Sequence, residues 1–357
     1  MKILTVVGAR PQFIKVAPVS LAIAAVPGVS EVLVHTGQHF DANMSDVFFD
    51  ELGIAAPRYN LGIGGGTHGQ NTGRMIEGLE RLMIEEKPDW VLVYGDTDST
   101  LAGALAAVKL HVRVAHVEAG LRSYNMVMPE EVNRRVTDHV STLLFTPSAH
   151  ASTILRGEGI ADDRVLNVGD VMYDAARLFG GRATQRSELL ARFGVTAGDY
   201  VLATIHRQEN TDDPVRLAAI FDALGRSGRP IVLPLHPRTR NSLARAAITP
   251  AANIVVTEPL GYLDMNALES AAALIATDSG GVQKEAYFHR VPCITLRDET
   301  EWVELIDLGW NRLARPGADD LAAILQSSPA RGRDDVMPYG DGAAAVKIVD
   351  ALVERTR

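Results

Sequence analysis

The sequence contains one cysteine, Cys293, and no long apolar run. A single thiol excludes an internal disulfide and a metal site built from several cysteines, and its position in the apolar run 291–296 predicts a buried core residue. No run approaches the roughly 18 apolar residues of a membrane-spanning helix. The chain starts with a strand-like segment instead of a charged region followed by an apolar one. We therefore predict no signal peptide, no membrane partner and a cytoplasmic protein.

Positive charge is also scarce. The 35 Lys and Arg residues face 44 Asp and Glu residues, which gives a formal net charge of −9. Proteins that bind nucleic acid normally have a basic face, so no nucleic-acid partner is predicted. With 46% hydrophobic and 22% charged residues, the composition is typical of globular proteins, and a length of 357 residues suits two domains.

Two common phosphate-binding motifs are missing. The glycine-rich segment 62–69 lacks the Gly-Lys-Ser/Thr ending of a Walker loop, and no Gly-x-Gly-x-x-Gly motif follows the first strand. Neither a P-loop nor a dinucleotide cofactor is therefore predicted. We interpret segment 62–69 as a mobile lid or a linker.

The rest of the chain alternates between short apolar strands and helices. Strands are predicted at residues 3–7, 31–35, 90–94, 113–117, 143–146, 201–205, 230–235, 253–257, 274–276 and 292–296. Helices are predicted at residues 12–25, 44–52, 69–86, 99–110, 131–140, 215–225, 239–246, 262–270, 320–326 and 342–354. Short strands that are apolar throughout are typical of a parallel sheet with both faces covered. The pattern predicts an α/β fold of two doubly wound, Rossmann-like domains that face a central cleft.

The alternation pauses near residue 168, where a polar, arginine-rich helical region begins. We predict an N-terminal domain of residues 1–168 and a C-terminal domain of residues 169–341. The last helix, within 342–357, is predicted to pack back on the N-terminal domain. Ligands of such domains bind beyond the carboxyl ends of the strands, so chemically active side chains should follow strands directly.

Segment 277–286, Thr-Asp-Ser-Gly-Gly-Val-Gln-Lys-Glu-Ala, joins a predicted buried strand to a predicted helix. The first N–H groups of a helix have no partner within the helix and suit a phosphate. Gly280 and Gly281 let an anion approach the main chain. Ser279 can cap the helix or bind the ligand, and Glu285 can accept hydrogen bonds from hydroxyl groups. An ordinary capped helix is the alternative, and the segment alone does not decide between the two.

Charged side chains also follow the strands of the first half. Arg10 offers a bidentate fork and Lys15 a point charge to a diphosphate, although Lys15 also fits a surface position. Asp96, Glu118 and Glu131 would repel a diphosphate unless they have a purpose of their own. A divalent metal bridging acids and phosphate is one purpose, and proton transfer at a sugar is another. The structural alternative is that Asp96 and Glu131 stabilise helix starts.

The histidines fall into three groups by position. His206 ends a predicted strand and precedes Arg-Gln-Glu-Asn, which favours a functional role. His116 alternates into an apolar strand, so we predict a buried structural residue. His39 and His236 lie between these cases.

Six motifs occur in order along nearly the whole chain. They are Gly8-Ala-Arg-Pro-Gln12, Gly95-Asp-Thr-Asp-Ser99, His116-Val-Glu-Ala-Gly-Leu-Arg122, Pro129-Glu-Glu-Val-Asn-Arg134, His206-Arg-Gln-Glu-Asn210 and Asp278-Ser-Gly-Gly-Val-Gln-Lys-Glu285. Together they resemble the non-hydrolysing UDP-N-acetylglucosamine 2-epimerases. The resemblance implies a fold like that of the two-domain GT-B glycosyltransferases, a homodimer, and a supply of precursors for surface polysaccharides.

The resemblance also implies a reaction and a set of residues. UDP is eliminated from the UDP-sugar to leave a 2-acetamidoglucal, and it adds back with the opposite configuration at C2, without metal or nicotinamide. The functional polar residues implied are Asp96, Glu118, Glu131 and His206. The diphosphate and ribose would be held by Arg10, Lys15, Ser279, Gly280, Gly281 and Glu285, and the uracil would lie near Leu260 and Met265. Which residue removes the C2 proton stays open.

Three segments depart from the family pattern. The opening Gly-Thr-Arg-Pro-Glu is here Gly8-Ala-Arg-Pro-Gln12, and Thr-Glu-Arg-Pro-Glu is here Thr300-Glu-Trp-Val-Glu304, so an indole replaces an arginine. The Gln-His-Arg segment, linked to activation by a second substrate molecule, is here Gln38-His39-Phe40. These variants resemble more closely the branch that acts on UDP-2,3-diacetamido-2,3-dideoxyglucuronic acid. The sequence therefore does not decide which substituents the substrate sugar carries, or whether a second substrate molecule activates the enzyme.

Three alternative functions remain at this point: a hydrolysing 2-epimerase, a GT-B-type glycosyltransferase, and a nucleotide-sugar sensor without catalysis. The set of carboxylates favours the epimerase over the transferase, which needs an acceptor groove and fewer acids at C2. The presence of all four functional polar residues argues against the sensor. The sequence does not distinguish the hydrolysing from the non-hydrolysing reaction.

Overall fold

The computed structural model describes residues 1–38, 49, 52–183, 187–327 and 330–356, without the side chains of residues 10 and 181–183. The chain divides into two compact units. Unit 1 comprises Met1–Ala175 and Met337–Arg357, and unit 2 comprises Ala176–Val336. The sequence placed these divisions after residues 168 and 341. The first division falls later because it lies inside one continuous helix, Val171–Ala183.

Unit 1 contains a parallel sheet whose seven described strands have the order β3-β2-β1-β4-β5-β6-β7. The strands are β1 (Lys2–Val7), β2 (Ser30–His35), β3 (Tyr59–Asn60), β4 (Trp90–Tyr94), β5 (Arg113–Val117), β6 (Leu143–Thr146) and β7 (Val165–Asn167). The helices up to the division are α1 (Arg10–Ala24), α2 (His68–Glu86), α3 (Asp98–Lys109), α4 (Pro129–Val140), α5 (Ala149–Gly157) and α6 (Val171–Ala183). The central strands are buried along their length, as continuous apolar runs require.

Unit 2 repeats this plan with a parallel sheet of six described strands in the order β10-β9-β8-β11-β12-β13. The strands are β8 (Val201–Thr204), β9 (Ile231–Pro234), β10 (Ile254–Thr257), β11 (Leu274–Thr277), β12 (Cys293–Thr295) and β13 (Asn311–Leu313). The helices are α7 (Ser187–Arg192), α8 (Gln208–Thr211), α9 (Pro214–Arg226), α10 (Pro237–Arg245), α11 (Tyr262–Ala271), α12 (Gly280–Phe288), α13 (Val303–Asp307) and α14 (Leu321–Gln326). The predicted fold class, two doubly wound α/β domains, is confirmed.

Both sheets reverse their strand order at one point. In unit 1 the reversal lies between β1 and β4, and in unit 2 it lies between β8 and β11. The loops that leave two such strands diverge, and the space between them at the carboxyl ends is where ligands of this fold bind. Each unit therefore has one preferred place for a site, at the loops that follow these strands.

The last helix, α15 (Ala344–Thr356), packs against α1 in unit 1. Its first turn is held by the Asp174 carboxylate, which accepts hydrogen bonds from the N–H groups of Ala344 and Ala345 at 3.2 and 2.8 Å. At its other end the Thr356 hydroxyl accepts a hydrogen bond of 2.7 Å from the Trp90 indole. Within the part of the chain that the structure describes, no helix is both long and apolar enough to cross a membrane.

Three strands were not predicted, namely β3, β7 and β13. Each has two or three residues and ends its sheet, and each contains an asparagine. Such short edge strands exist because a neighbouring strand pairs with them, so no apolar pattern marks them. The glycine-rich segment also ends earlier than predicted, because Thr67 caps α2 and Gly69 belongs to that helix. His39 and most of the helix predicted at 44–52 lie outside the described residues, although residues 49 and 52 are helical.

Candidate functional site

Glu118 directly follows β5 and has an unusual backbone. Its φ angle is 69°, in the left-handed region that residues with a Cβ rarely adopt. The N–H groups of Glu118 and Ala119 both donate to the carbonyl of Phe145, at 3.1 and 3.0 Å, and these bonds hold the conformation. Strain of this kind is concentrated at functional sites, where the surrounding structure compensates for it.

The carboxylate of Glu118 forms an ion pair with Lys15 of α1, and both side chains are mostly buried. The pair lies against the turn that follows β4. A Cβ at Gly95 would lie 3.3 Å from Oε2 of Glu118 and 3.4 Å from Nζ of Lys15. The structure thus joins a predicted acid to a predicted phosphate ligand, at the point where the strand order of unit 1 reverses.

Asp96, the next residue, is connected to Glu131 through Arg134. The Arg134 guanidinium pairs with the Asp96 carboxylate and with Oε2 of Glu131, the latter at 2.6 Å. Asp96 keeps 32% of its side chain exposed, whereas Glu131 has 0%. Thr97, not Asp96, caps α3, so the structural alternative for Asp96 is wrong.

Glu131 lies in the first turn of α4 and is surrounded by donors. Its carboxylate accepts hydrogen bonds from the N–H and hydroxyl of Ser123, at 2.8 and 3.0 Å, and from the N–H of Tyr124 at 3.2 Å. Burial raises its pKa, but the bonds from Ser123 and Arg134 outweigh burial and lower it. An ionised carboxylate held in this way organises the loop and Arg134, and through Arg134 it orients Asp96.

Gln12 and His116 complete the framework of unit 1. The Gln12 carbonyl oxygen accepts from the N–H groups of Gly8 and Ala9 at 2.8 and 3.0 Å, and its amide donates to the carbonyl of Tyr94 at 2.8 Å. This side chain therefore ties the turn after β1 to the end of β4. His116 is buried, as predicted, with Nε2 donating to the carbonyl of Gly95 at 2.7 Å.

A second pair in unit 1 was missed by the sequence analysis. His68, at the start of α2, lies with Nδ1 2.8 Å from Oδ2 of Asp98, and this hydrogen bond raises the pKa of His68. Oδ1 of Asp98 accepts from the Asn133 amide at 3.1 Å, and the same amide donates to the carbonyl of Asp96 at 3.0 Å. The motif Gly-Asp-Thr-Asp-Ser contained Asp98, but no local signal indicated a partner thirty residues away.

In unit 2 the loop after β8 is held by Asp278, a buried residue of the segment 277–286. Its carboxylate accepts from the N–H groups of His206 and Arg207 at 3.1 Å and from the Asn210 amide at 3.0 Å. Nδ1 of His206 lies 3.4 Å from Oδ1 of Asp278. Asp278 therefore orients the imidazole of His206.

A pocket of about 160 Å³ opens beside this imidazole. Its walls come from the loops after β8, β9, β10 and β11, and its lining residues are Thr204, Ile205, His206, Pro234, His236, Pro259, Leu260, Ser279 and Val282. The rings of His206 and His236 have centroids 5.8 Å apart. Burial lowers the pKa of His206, Asp278 opposes the shift, and His236 adds to it. A larger groove of about 640 Å³, beside β13 and α14, contains none of the predicted site residues.

The start of α12 borders the pocket at Ser279 and is closely packed at Gly280. Ser279 is the N-cap residue, but its side chain makes no capping hydrogen bond with the described residues and faces the pocket instead. A Cβ at Gly280 would lie 2.5 Å from Oε1 of Glu301 and 3.4 Å from Nε1 of Trp302. The ammonium of Lys284 lies 4.6 Å from the centre of the Trp302 ring. An indole and a lysine thus occupy the surroundings of this helix start.

The predicted residues therefore assemble within each unit to different degrees. Lys15, Asp96, Glu118 and Glu131 meet at the reversal point of unit 1, and His206, Leu260 and Ser279 line the pocket of unit 2. Met265, like Leu260, packs against the core of unit 2, but it does not line the pocket. The side chain of Arg10 lies outside the described part. Across the described ranges, no three His, Cys, Asp or Glu side chains are grouped to hold a metal ion.

Known proteins share both the sequence and the fold. The family model for UDP-N-acetylglucosamine 2-epimerase matches residues 21–353. A UDP-2,3-diacetamido-2,3-dideoxy-D-glucuronate 2-epimerase of Pseudomonas aeruginosa is 52% identical over 360 residues, covering 99% of this chain and 100% of the relative. The UDP-GlcNAc 2-epimerase of Methanocaldococcus jannaschii, solved in complex with UDP-GlcNAc and UDP, has a TM-score of 0.85 at 40% identity, with 99% and 100% covered. The enzyme of Neisseria meningitidis, bound to UDP-GlcNAc, has a TM-score of 0.87 at 31% identity, with 99% and 100% covered.

The family model covers five of the six motifs and both units, and the relatives, which cover 99% of the chain, match over nearly its whole length. The resemblance inferred from those motifs is thereby confirmed, and so is the GT-B-like architecture of two α/β units. The chain belongs to the UDP-N-acetylglucosamine 2-epimerase family, a family of isomerases.

Proposed function

We propose that this enzyme inverts C2 of UDP-N-acetylglucosamine, or of a close derivative, by eliminating UDP and adding it back. The observation that carries the proposal is the cluster of Asp96, Glu118 and Lys15 at the reversal point of unit 1. A carboxylate and an ammonium in contact suit a reaction in which a proton is removed from carbon while an anionic diphosphate departs.

The proposed reaction balances without a redox partner. A base takes the proton from C2, the electron pair of that bond forms the C1–C2 double bond, and the bond from C1 to the diphosphate oxygen breaks. UDP leaves with the electron pair of the C1–O bond. Return of a proton to the other face of C2 and of UDP to C1 gives the inverted sugar. Because no step of this route transfers a hydride, no nicotinamide is needed.

Within unit 1, Glu118 and Asp96 are the proposed proton-transfer groups. Glu118 is held by its strained backbone and by Lys15, and Asp96 is held by Arg134 while a third of its side chain stays exposed. Glu131, whose carboxylate is fully engaged, supports them without contacting the sugar. Lys15 is proposed to exchange its contact with Glu118 for one with the departing diphosphate.

Within unit 2, the pocket beside His206 is the proposed site for UDP. Leu260 offers an apolar wall for the uracil, and the N–H groups at the start of α12 suit the diphosphate. Glu285 is proposed to accept hydrogen bonds from the ribose hydroxyls. The neutral form of His206 favoured by burial can accept a proton and afterwards return it at the phosphate.

The sugar that fits best is proposed to be UDP-2,3-diacetamido-2,3-dideoxy-D-glucuronate. Support comes from the 52% identity with the relative that acts on this compound. The residue Trp302 and the neighbouring Lys284 are consistent with a substrate that differs from UDP-GlcNAc. The homodimer, the cytoplasmic location and the role in surface polysaccharide supply stay predictions.

Reaction in heavy water tests this function. UDP-GlcNAc and the diacetamido glucuronate analogue are incubated separately with the enzyme, with and without a chelator, and the products are analysed by NMR and mass spectrometry. We expect deuterium at C2 of the inverted UDP-sugar, faster turnover of the glucuronate, and no effect of the chelator.

Other outcomes would point to other functions. Release of UDP together with an inverted free sugar would indicate a hydrolysing enzyme, and transfer of the sugar to an added acceptor would indicate a glycosyltransferase. Binding without any turnover would indicate a sensor. A loss of activity with the chelator, restored by a divalent metal, would contradict the metal-free reaction.

Substitution of Gly280 by alanine is expected to weaken UDP binding by about tenfold, because overpacking costs roughly 1–3 kcal/mol. The new Cβ would lie 2.5 Å from Oε1 of Glu301 and force apart the 2.6 Å contact between Glu301 and Arg297. The measurement is the dissociation constant of UDP by isothermal titration calorimetry. Gly73→Ala is the control, since this helical glycine has open space around it. Equal affinities of the two variants would contradict a phosphate site at α12.

A further inference from the structure

Helices α11 and α12 pack against each other through polar side chains. Asn266 and Glu269 lie one turn apart on α11, and Glu285 and His289 lie one turn apart on α12 and its C-cap. Asn266 and Glu269 have exposed fractions of only 0% and 1%. We call these four side chains the polar seam.

Two observations show that the two sides of the polar seam meet. Glu269 is within hydrogen-bonding reach of the Glu285 side chain. A Cβ at Gly180 would lie 3.7 Å from Oδ1 of Asn266 and 3.8 Å from Cε1 of His289, so these two side chains approach the same point. Polar groups therefore occupy a helix contact where apolar side chains are the rule.

The polar seam leaves buried atoms without partners. Five buried atoms make no hydrogen bond with the described residues. They are both carboxylate oxygens of Glu269, both polar atoms of the Asn266 amide, and Nε2 of His289. More than nine in ten buried polar groups in proteins have a partner, and an ionised carboxylate without one is strongly unfavourable. The arrangement therefore has a chemical rather than a packing explanation.

A shared proton supplies that explanation. Two carboxylates offer only acceptors, so Glu269 and Glu285 attract each other only when one of them carries a proton. The other titratable groups that face Glu269 are Tyr200, ahead of β8, and Cys293 of β12, and neither can become a cation. His289 stays neutral because burial lowers its pKa to about 4. Glu269 is only 1% exposed whereas Glu285 is half-buried, so the charge is better solvated on Glu285 and the proton belongs to Glu269. In line with this, burial and the neighbouring Glu285 raise the pKa of Glu269 well above its usual range.

Glu285 lies between this proton and the pocket. Ser279 and Val282 of the α12 region line the pocket, and Glu285 follows Val282 by three residues, which places it one turn further along the same side of the helix. Glu285 is half-buried, whereas Glu269 behind it is buried. A donor behind a carboxylate fixes the orientation of that carboxylate toward a ligand.

We propose that Glu269 is a positioning residue that acts through Glu285: its carboxylic acid donates a hydrogen bond to Glu285 and fixes that carboxylate as the acceptor for the hydroxyl groups of a nucleoside ribose. The inference rests on the proposed function, which puts UDP in this pocket. It assigns a role to a buried acid that the epimerase motifs do not include.

Nucleotides with and without ribose hydroxyls test the proposal. Dissociation constants of UDP and 2′,3′-dideoxy-UDP are measured by calorimetry for the native enzyme, Glu269→Gln and Glu269→Met. The native enzyme is expected to prefer UDP by about tenfold or more, as a hydrogen bond to a charged group allows. Glu269→Gln, whose amide can still donate, should keep this preference. Glu269→Met should bind UDP only as weakly as the dideoxy compound, with its affinity for the dideoxy compound unchanged.

A pH series adds a readout that a purely structural role would not move. The affinity for UDP of the native enzyme, relative to that of Glu269→Gln, should fall as rising pH removes the proton from Glu269. Asp264→Asn on the same helix serves as the control and should behave like the native enzyme at every pH. A constant ratio of native to Glu269→Gln affinity would overturn the assignment of the proton.

The remaining outcomes separate this inference from the proposed function. Equal weakening of both nucleotides by Glu269→Met would show a structural role only and overturn the inference. A native enzyme that binds both nucleotides equally well would overturn the ribose role of Glu285, and with it the inference, while the epimerase function stands. A native enzyme that binds neither would overturn both.

Discussion

Replacing Glu118 by glutamine should reduce kcat for C2 inversion by about 10³-fold, within the range that a general base or acid contributes. The amide keeps the size of the side chain but cannot accept the C2 proton at a useful rate. The same change removes the partner of Lys15, so the ammonium becomes available to the diphosphate. UDP affinity should therefore stay the same or increase. This opposite response of turnover and binding distinguishes a proton-transfer role from a general loss of structure.

The measurement combines steady-state turnover with calorimetric binding of UDP. Glu130→Gln is the matched control, because Glu130 is an exposed carboxylate in the first turn of α4 and should tolerate the change. Asp96→Asn should resemble Glu118→Gln in turnover. Retained inversion in both Glu118→Gln and Asp96→Asn would sink their proposed role and move the chemistry to other residues.

The substitution Asp138→Asn is expected to lower the free energy of unfolding of unit 1 by about 3–5 kcal/mol, the usual cost of breaking a buried ion pair. The Asp138 carboxylate is buried and accepts hydrogen bonds from His116 and Arg122, each at 2.7 Å, and from the N–H of Gly120 at 3.2 Å. His116 donates through its other nitrogen to the carbonyl of Gly95, so the ring is held between two acceptors. A neutral amide at position 138 would leave the buried Arg122 guanidinium with Glu158 as its only charged partner among the described residues.

The destabilisation should depend on pH in a defined direction. Burial raises the pKa of Asp138, but His116 and Arg122 outweigh it and lower the pKa below the ordinary value of 3.8. A carboxyl group with a depressed pKa in the folded state contributes stability above its unfolded pKa, and the contribution disappears as the pH falls through the folded pKa. The difference between native and Asp138→Asn should therefore be full at neutral pH and shrink below about pH 4.

Urea unfolding followed by circular dichroism, at several pH values, measures this difference. Asp162→Asn is the control, since Asp162 is 81% exposed and pairs with Arg156 at the surface of the same unit. Exposed pairs contribute at most about 1 kcal/mol, so the control should be nearly neutral. An Asp138→Asn enzyme as stable as the control would show that the buried network is dispensable.

Most of the architecture could be read from local patterns. Continuous apolar runs predicted the central strands of both sheets, because strands covered on both faces leave no polar alternation. The rule that ligands lie beyond strand ends then indicated the loops on which the predicted site residues lie, and six short motifs indicated the family. The strands could be predicted because the strand–helix unit repeats along the chain. The family could be predicted because its characteristic residues lie in short contiguous motifs.

The partners of the site residues could not be read in the same way. Lys15 and Glu118 are 103 positions apart, and Gln12 reaches Tyr94 across 82 positions. Sequence analysis assigned Lys15 to a phosphate and Glu131 to chemistry at the sugar, whereas the structure pairs Lys15 with an acid and encloses Glu131 with donors. Such contacts depend on which strands become neighbours in the sheet, and no local pattern reports that.

The buried acid Glu269 illustrates the same limit. In the sequence it is one of 44 acidic residues, in a helix that is otherwise ordinary. Its significance depends on the packing of α11 against α12, which removes it from water and brings it to Glu285. Residue identity and spacing thus specified the strands, the loops and the family, because those follow from short-range preferences. Protonation, orientation and pairing of the side chains arose from burial and from long-range contacts, which exist only once the chain has folded.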